Sequence, residues 1–346
     1  MTISAAVPAG GRRETSLTGI KPTGEPHLGN YVGAIRPALA LAEQYDTAYF
    51  IADYHALTTI RDPETLRGYG RSVAATWLAS GLDPAVTMLY RQSDVPEIFE
   101  LAWVLSCMAA KGLMNRAHAY KAARDRNLAA GNADLDAGVN MGLFDYPILM
   151  AADILVMGAQ VVPVARDQFQ HLEYAADLAG TFNAVYGERF RLTVPRPLLA
   201  DDQVRRMLPG SDGRKMGKSY GNTIPLFASE ADLRRLIRRM PTDSSPVEAV
   251  KSADDSAVFQ ILAHFAAPEL VVGTRGRLAA GEMGWGELKE LLFTVLNGHF
   301  GPLRERYAEL MEPGSVLDRV LEDGARRARE RARPVLAQVR RAVGVS

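Results

Sequence analysis

Residues 16–30 read SLTGIKPTGEPHLGN. The first five residues predict a short buried strand, and the Pro- and Gly-rich residues after it predict a tight turn. A helix is then expected over residues 30–43. Strands that turn directly into helices build parallel sheets, and the N-terminus of such a helix is suited to binding a phosphate group. The stretch therefore predicts an α/β fold and a candidate phosphate site at its first turn.

The same alternation continues along the chain. Further strands are predicted over residues 48–53, 85–90 and 160–164, and helices over residues 63–79, 97–113 and 167–182. Helices of ten or more residues between strands indicate a parallel sheet with helices on both faces. Later segments are helical, from a basic helix at residues 230–240 to an arginine-rich one at residues 316–343. We predict a flexible tail over residues 1–14, an α/β domain over residues 15–222 and a helical domain over residues 223–346, whose last helix could pack back on the first domain.

Composition narrows the class of protein. Of the 346 residues, 47% are hydrophobic and 23% are charged, which indicates a folded chain with a sizeable core. Basic and acidic residues number 40 each, so contact with nucleic acid must come from local clusters. The single cysteine, Cys107, rules out an intrachain disulfide and fits a reducing compartment. The sequence has no apolar run of the roughly 20 residues that span a membrane and no signal-peptide pattern, so we expect a cytoplasmic protein.

The first turn carries polar residues that could bind a ligand. Gly24 and Gly29 allow the backbone to turn tightly and approach a ligand closely. The ring of His27 could donate to a phosphate oxygen, and the amide of Asn30 could add a second hydrogen bond. Alternatively, this is an ordinary turn in which Asn30 caps the helix.

A second candidate phosphate site lies far along the chain, where residues 215–219 read KMGKS. Lys215 and Lys218 could hold a triphosphate and offset the charge that builds up as a phosphate is displaced. Ser219 adds a hydroxyl group. Alternatively, the segment is a solvated basic turn. Together with the first turn, it suggests one nucleotide held from two sides.

Two acidic residues between these motifs are also candidates. Asp153 lies in the apolar stretch YPILMAADIL of residues 146–155, where a carboxylate is costly to bury without a partner. It could accept a hydrogen bond from a ligand, or a backbone group or lysine could satisfy it. Asp167 and Gln168 follow a predicted strand and could bind ribose hydroxyls and an amino group, although Asp167 could equally cap the next helix. His171 is expected in the core or behind the site.

These stretches, in this order, resemble the bacterial tryptophanyl-tRNA synthetases, which are class I aminoacyl-tRNA synthetases. Residues 27–30 (HLGN) match the family's variant of the class signature, and residues 215–219 match its second signature. Residues 53–58, 150–153 and 167–171 are similar to further blocks of the family. Each block is weak alone, but five in the same order make a specific match.

The resemblance implies a Rossmann-type catalytic domain, a helical anticodon-binding domain and a homodimer. It implies activation of L-tryptophan with ATP to tryptophanyl-adenylate and pyrophosphate, followed by transfer of tryptophan to tRNA(Trp). Mg²⁺ would accompany ATP on its phosphates, with no dedicated protein metal site. The alternatives are a tyrosine-activating relative, or a paralogue with weak charging and a binding or regulatory role.

The resemblance also implies the residues that meet the substrates. Asp153 would accept from the indole N–H, and Gln168 would hold the substrate ammonium. The indole ring would lie near Tyr146, Met150, Val162 and Val164. The ATP site would comprise Lys21, Pro22, Thr23, Gly29, Asn30, Ala165, Arg166, Asp167, Arg206, Lys215, Met216, Gly217, Lys218 and Ser219. The catalytic set would comprise His27, Asn30, Lys215, Lys218 and Ser219.

Three features depart from the family pattern. Lys21 stands where glutamine is common, Ala165 and Arg166 replace a glycine and an acidic residue, and Gly217 replaces a serine. These changes suggest altered kinetics or an auxiliary copy of the enzyme more than lost chemistry.

Arginines are candidates for contact with tRNA phosphates. One set lies on the helix at residues 230–240, another comprises Arg116, Lys121, Arg124 and Arg126, and the largest comprises Arg319, Arg326, Arg327, Arg329, Arg331, Arg333, Arg340 and Arg341. Alternatively, these side chains are simply solvated. The apolar helix at residues 97–113 could be a dimer interface or part of the core.

Overall fold

A parallel sheet of five strands forms the centre of the computed structural model, which describes residues 13–164, 169–199 and 208–345. The strands are β1 (Thr15–Ile20), β2 (Asp46–Ile51), β3 (Met88–Arg91), β4 (Val161–Val164) and β5 (Arg196–Leu199). Their order is β3-β2-β1-β4-β5, and every neighbouring pair is parallel. The chain reverses direction across the sheet between β1 and β4. In such doubly wound sheets, the crevice at the carboxyl ends of the two strands is where ligands bind.

Helices cover both faces of this sheet and make up most of the chain beyond residue 230. They are α1 (Leu28–Asn30), α2 (Arg36–Leu41), α3 (Asp53–Ala56), α4 (Pro63–Ala79), α5 (Glu97–Ser106), α6 (Lys111–Met114), α7 (His118–Ala129), α8 (Met141–Val156), α9 (Phe169–Tyr186), α10 (Glu230–Arg239), α11 (Ala257–Phe265), α12 (Pro268–Ala279), α13 (Trp285–Met311) and α14 (Val316–Val343). A π-helical turn, Tyr31–Ile35, joins α1 to α2. No helix in the part of the chain described is long and apolar enough to cross a membrane.

The predicted α/β fold is confirmed, but several of its elements differ from the prediction. The second strand ends at Ile51 instead of residue 53, and the helix expected over residues 30–43 contains the π-helical turn and ends at Leu41. The third strand begins at Met88 instead of residue 85, because a turn precedes it in which the Thr87 N–H donates to the Asp83 carbonyl. The helix expected over residues 97–113 ends at Ser106 and is followed by the separate α6. Strand β5 is absent from the sequence-based prediction, because its short sequence RPLL contains a proline, which is rare inside a sheet.

Hydrophobic side chains form two main clusters, one on each face of the sheet. The first joins the sheet and α4 to the helical region, through residues such as Tyr49, Trp77, Phe259 and Phe300. The second packs α5, α8, α9 and α14 against the other face. Because the first cluster runs across residue 222 without interruption, the domain boundary there stays a prediction.

The last helix, α14, lies against β3, the edge strand of the sheet. Gly324 allows this close approach, because a Cβ at that position would lie 1.9 Å from the carbonyl oxygen of Leu89. The helix also packs against α5 and α8. It therefore covers a sheet edge that would otherwise expose unpaired backbone groups.

Candidate active site

A cavity of about 540 Å³ opens at the carboxyl ends of β1 and β4. All five residues that the resemblance assigns to the indole lie in its wall: Tyr146, Met150, Asp153, Val162 and Val164. Lys21 and His55 also line it. The cavity lies at the point where doubly wound sheets bind ligands, and its wall is mainly apolar with a few polar groups, as is usual for a small-molecule site.

Asp153 is the most deeply buried of these polar residues, with no exposed surface. It lies on α8, whose first turn is capped when Asn140 accepts from the Leu143 N–H. One carboxylate oxygen lies 3.0 Å from His55 Nε2, and Gln92 Nε2 donates to both oxygens at 2.9 and 3.0 Å. Burial raises the pKa of Asp153, while the contacts with His55 and Gln92 act in the opposite direction. The carboxylate is therefore held in place on the cavity wall.

The partners of Asp153 come from the ends of two other strands. His55 lies on α3, directly after β2, and Gln92 begins a 3-10 turn directly after β3. The two segments are joined because the Tyr54 N–H donates to Gln92 Oε1 at 3.1 Å and Asp53 accepts from Ser93. Gln92 is absent from the sequence-based prediction. A signal for it exists, since polar residues just after parallel strands tend to face the binding crevice.

Lys21 follows β1 at the mouth of the cavity. Its ammonium donates to Thr58 Oγ1 at 2.9 Å, and desolvation lowers the pKa of Lys21. The neighbouring Pro22 is buried, whereas Thr23 is exposed. The unusual lysine therefore adds a cation beside the cavity.

The first signature forms the turn into α1. The His27 N–H donates to Asn30 Oδ1 at 3.1 Å, and the His27 side chain is almost fully buried. Burial and the charge of Lys218 together lower the pKa of His27 to about 4. The imidazole is therefore neutral at pH 7 and carries one N–H donor.

The lysine loop, residues 215–219, lies directly against this turn. The Gly29 N–H contacts Met216 Sδ at 3.3 Å, and a Cβ at Gly24 would lie 3.1 Å from Lys218 Nζ. Gly24 has a φ of 131°, which further favours glycine. Burial lowers the pKa of Lys218. The two predicted phosphate motifs thus face each other although almost 190 residues separate Gly29 and Met216 along the chain.

Asn222 holds the lysine loop in shape and is missing from the sequence-based prediction. Its Nδ2 donates to the Lys215 carbonyl at 3.0 Å and to Asp212 Oδ1 at 2.7 Å, and its Oδ1 accepts from the Gly217 N–H at 2.9 Å. Asn222 is buried, whereas Lys215, Lys218 and Ser219 are exposed. The loop therefore has a fixed backbone and exposed basic side chains.

Some predicted site residues lie outside the described residues: Ala165, Arg166, Asp167, Gln168 and Arg206. His171, which follows this gap, is buried, and its ring centroid lies 5.0 Å from that of Tyr146. It therefore lies behind the cavity wall, as expected.

The arginine-rich α14 is engaged within the chain. Arg329 and Arg333 both donate to Glu97, Arg331 donates to Asp46, and Arg340 forms a bidentate pair with Glu100. Arg326 and Arg327 pair with acidic residues of α14 itself. These contacts speak against the predicted role of these six side chains in binding tRNA, and they give α14 a role in holding the sheet and α5 together.

The fold and the two facing motifs define a class of protein. A doubly wound parallel sheet carrying HLGN at its first turn, opposed by a KMGKS loop, is the arrangement of a class I aminoacyl-tRNA synthetase.

Comparison with known proteins gives the family. The model of the family "tRNA synthetases class I (W and Y)" matches residues 11–267, and the chain belongs to this family. The tryptophan–tRNA ligase of Neisseria meningitidis is 48% identical over 331 residues, which cover 95% of this chain and 97% of that protein. The one from Pseudomonas putida is 49% identical over 332 residues, covering 95% and 73%.

A solved structure shows the same fold over nearly the whole chain. The tryptophanyl-tRNA synthetase of Campylobacter jejuni, complexed with ADP and tryptophan, has a TM-score of 0.86 and 37% identity, and it covers 95% of this chain and 99% of its own. The chain is therefore an aminoacyl-tRNA synthetase.

Proposed function

We propose that the protein is a tryptophan–tRNA ligase. It activates L-tryptophan with ATP, forms tryptophanyl-adenylate and pyrophosphate, and transfers tryptophan to the 3′ end of tRNA(Trp). The observation that carries this proposal is Asp153, a buried carboxylate on the wall of an otherwise mainly apolar cavity, held by His55 and Gln92. A mainly apolar cavity with a fixed carboxylate acceptor in its wall is suited to an indole, whose only polar atom is an N–H donor.

In the first step, the tryptophan carboxylate attacks the α-phosphate of ATP in line and pyrophosphate leaves. The reaction needs no side-chain nucleophile, because catalysis rests on positioning and on stabilising charge. Lys215 and Lys218 offset the charge on the leaving phosphates, and the neutral ring of His27 donates a hydrogen bond. Backbone N–H groups at the start of α1 also favour an anion. ATP brings Mg²⁺ bound to its own phosphates.

The same carboxylate provides selectivity. Phenylalanine has no donor for Asp153, so the lone pair that the carboxylate keeps beyond its bonds to His55 and Gln92 would stay unused, and we expect such a ligand to be rejected by roughly 10⁴-fold or more. Tyrosine is the harder competitor, because its hydroxyl can also donate. A tyrosine-activating enzyme is therefore the second candidate, since the family includes both types.

Amino-acid-dependent pyrophosphate exchange separates these candidates, and aminoacylation of tRNA(Trp) tests the second step. Exchange with tryptophan but not tyrosine, together with charging of the tRNA, is the expected result. Exchange with tyrosine alone would contradict the proposal. Exchange with tryptophan without charging would instead favour the paralogue with a binding or regulatory role.

Binding of the substrates and of tRNA involves further parts of the chain. We further propose that the roles which the family resemblance gives to residues 165–168 and Arg206, binding the amino acid and ATP, hold for this chain. We also propose that residues 223–346 bind the anticodon arm, through side chains other than the paired arginines of α14. Reaction with ATP and tRNA occurs in the cytoplasm.

The active form is a homodimer. Residues Ile98, Leu101 and Leu105 turn one face of α5 into the core, while Trp103 on another face is 72% exposed. Phe99 lies one turn before Trp103 on α5, and its ring packs at a tilt against that of Tyr54, with ring centroids 4.2 Å apart. An exposed tryptophan next to partly exposed aromatic rings suits a protein interface. A Trp103→Glu variant should sediment as a monomer, whereas unchanged dimers would exclude this face.

A further inference from the structure

The carboxylate of Glu97 has an unusual environment for the first residue of a helix. Glu97 begins α5 but is only 7% exposed, and its Oε1 accepts from Arg333 Nε at 3.1 Å and Arg329 Nε at 3.3 Å, both on α14. Within the described residues, Oε2 is buried and has no hydrogen-bond partner. Removing a charge from water is costly unless it is paired, and two guanidinium groups compensate this one. The helix dipole favours an acidic residue at a helix N-terminus even when it is exposed. It therefore does not explain why Glu97 is buried and paired with two arginines.

A short, rigid segment connects Glu97 to the amino-acid cavity. The turn Gln92–Asp94 lies just before α5, and hydrogen bonds run from the Val95 N–H to the Gln92 carbonyl and from the Ile98 N–H to the Val95 carbonyl. The position of the first turn of α5 therefore sets the position of Gln92. Gln92 is fully buried, and its amide donates to both oxygens of Asp153.

The helix that carries Arg329 and Arg333, α14, is itself fixed to the sheet. Gly324 abuts the backbone of β3, and Arg331 donates to Asp46 at the start of β2 at 2.6 Å. Tyr90, fully buried in β3, lies within electrostatic reach of both Asp153 and Arg331. The helix thus extends from the sheet to α5 and passes close behind the wall that carries Asp153.

We propose that Arg329 and Arg333, acting through Glu97, are positioning residues for tryptophan recognition. The C-terminal helix holds the first turn of α5, and thereby Gln92, so that the carboxylate of Asp153 keeps the orientation in which it can accept from the indole. None of the three charged residues lines the cavity, so they act through Gln92 and not on the substrate. This inference rests on the proposed function, because it concerns the binding of tryptophan at Asp153.

The test measures the KM values for tryptophan and for ATP in pyrophosphate exchange, which needs no tRNA. Glu97→Gln keeps the side-chain volume but removes the charge. It should raise the KM for tryptophan roughly ten-fold, since small displacements of a binding group have effects of this order or larger. The KM for ATP should stay within about two-fold, because the lysine loop is remote from α5. The Arg329→Gln/Arg333→Gln double variant removes both guanidinium groups on α14 that hold Glu97 and should show the same selective change.

Arg340→Gln is the matched control. It removes an ion pair between the same two helices, but its partner Glu100 lies one turn further along α5 and is more exposed. It should leave both KM values within about two-fold of wild type. Thermal unfolding shows whether each variant is folded.

Three results are decisive. An unchanged KM for tryptophan in folded Glu97→Gln or in the double arginine variant would overturn the inference. An equal rise in Arg340→Gln would also overturn it, because the effect would then be one of general helix docking. A wild-type enzyme that shows no tryptophan-dependent exchange would instead contradict the proposed function, so the two failures are distinguishable.

Discussion

Asp153 has no exposed surface, and side chains from the ends of two strands hold both of its oxygens. A burial cost of this kind is offset by hydrogen bonds that also stabilise the carboxylate. The sequence predicts the position, because an acidic residue in the run YPILMAADIL stands out. It does not predict His55 and Gln92 as partners, because those contacts span 98 and 61 residues and depend on how the strands are ordered.

The variant Asp153→Asn tests whether this carboxylate is the hydrogen-bond acceptor for the indole. The substitution replaces one oxygen by an NH₂ group and removes the charge, so the hydrogen bond to the indole weakens or is lost. A hydrogen bond to a charged group contributes about 1.5–3 kcal/mol, so kcat/KM for tryptophan should fall roughly 10- to 100-fold. Exchange kinetics measure this, and an unchanged kcat/KM would show that Asp153 does not bind the indole.

The pKa of His27 leads to a prediction about pH. In the folded protein its pKa is about 4, against 6.5 for an ordinary histidine, so the unfolded chain binds the proton first as pH falls. The free energy of unfolding should therefore decrease from about pH 6.5 to pH 4, by at most about 3 kcal/mol at 1.36 kcal/mol per pKa unit.

The measurement is urea unfolding of wild type and His27→Asn across this range. Other groups also titrate there, so the difference between the two proteins isolates the histidine. The variant should lose less stability on acidification. Parallel curves would show that the His27 ring is not held neutral.

The lysine loop illustrates what can be predicted for a single element. Its sequence KMGKS predicts a basic, phosphate-binding turn, and it lies against the turn of HLGN as a shared nucleotide site requires. The buried anchor Asn222 does not follow from the sequence, because an asparagine after a glycine is also common in exposed turns.

Asn222→Ala should loosen this loop without touching the amino-acid cavity. Four side-chain hydrogen bonds are lost, those with the Lys215 and Arg214 carbonyls, the Gly217 N–H and Asp212. The KM for ATP should rise about ten-fold or more, because ATP must then order a loop that Asn222 no longer holds in place. The KM for tryptophan should stay nearly constant. Equal changes in both values would contradict a role confined to the nucleotide.

The helices are predicted better than the shortest strands. The sequence predicts α4 and α14 with their exact ends, since both have clear caps and long amphipathic patterns. It does not predict β5, whose sequence RPLL is short and contains a proline, which is rare inside a sheet. Tertiary pairing with β4 decides that strand.

The docking of α14 depends on one glycine. Gly324→Ala places a Cβ against the Leu89 carbonyl and should destabilise the protein by about 1–3 kcal/mol despite the better helix propensity of alanine. Gly298→Ala in α13 is the control, because no atom lies within 4 Å of the added Cβ. It should be neutral or stabilising. Similar midpoints of denaturant unfolding for the two variants would show that α14 does not contact β3 this closely.

At the scale of the whole molecule, the sheet brings distant segments to one edge. The first turn, the cavity wall and the lysine loop come from residues 21–30, 146–164 and 208–222, and a single hydrophobic cluster joins the sheet to the helical region. The fold class follows from the alternation of strands and helices. The packing of α14 does not follow from it. The arginines of α14 predict exposure to solvent or contact with nucleic acid, and only the structure shows that their partners are carboxylates on α5 and β2.

The amino acid that drives ATP–pyrophosphate exchange tests the central claim most directly. Wild-type enzyme is assayed with saturating ATP and with tryptophan or tyrosine over the same range of concentrations. We expect exchange with tryptophan at a kcat/KM at least about ten-fold above that for tyrosine, because tyrosine can also donate to Asp153 and the fit of its smaller ring has to separate the two. Exchange driven by tyrosine, or none with either amino acid, would contradict the assignment of the cavity around Asp153 to tryptophan.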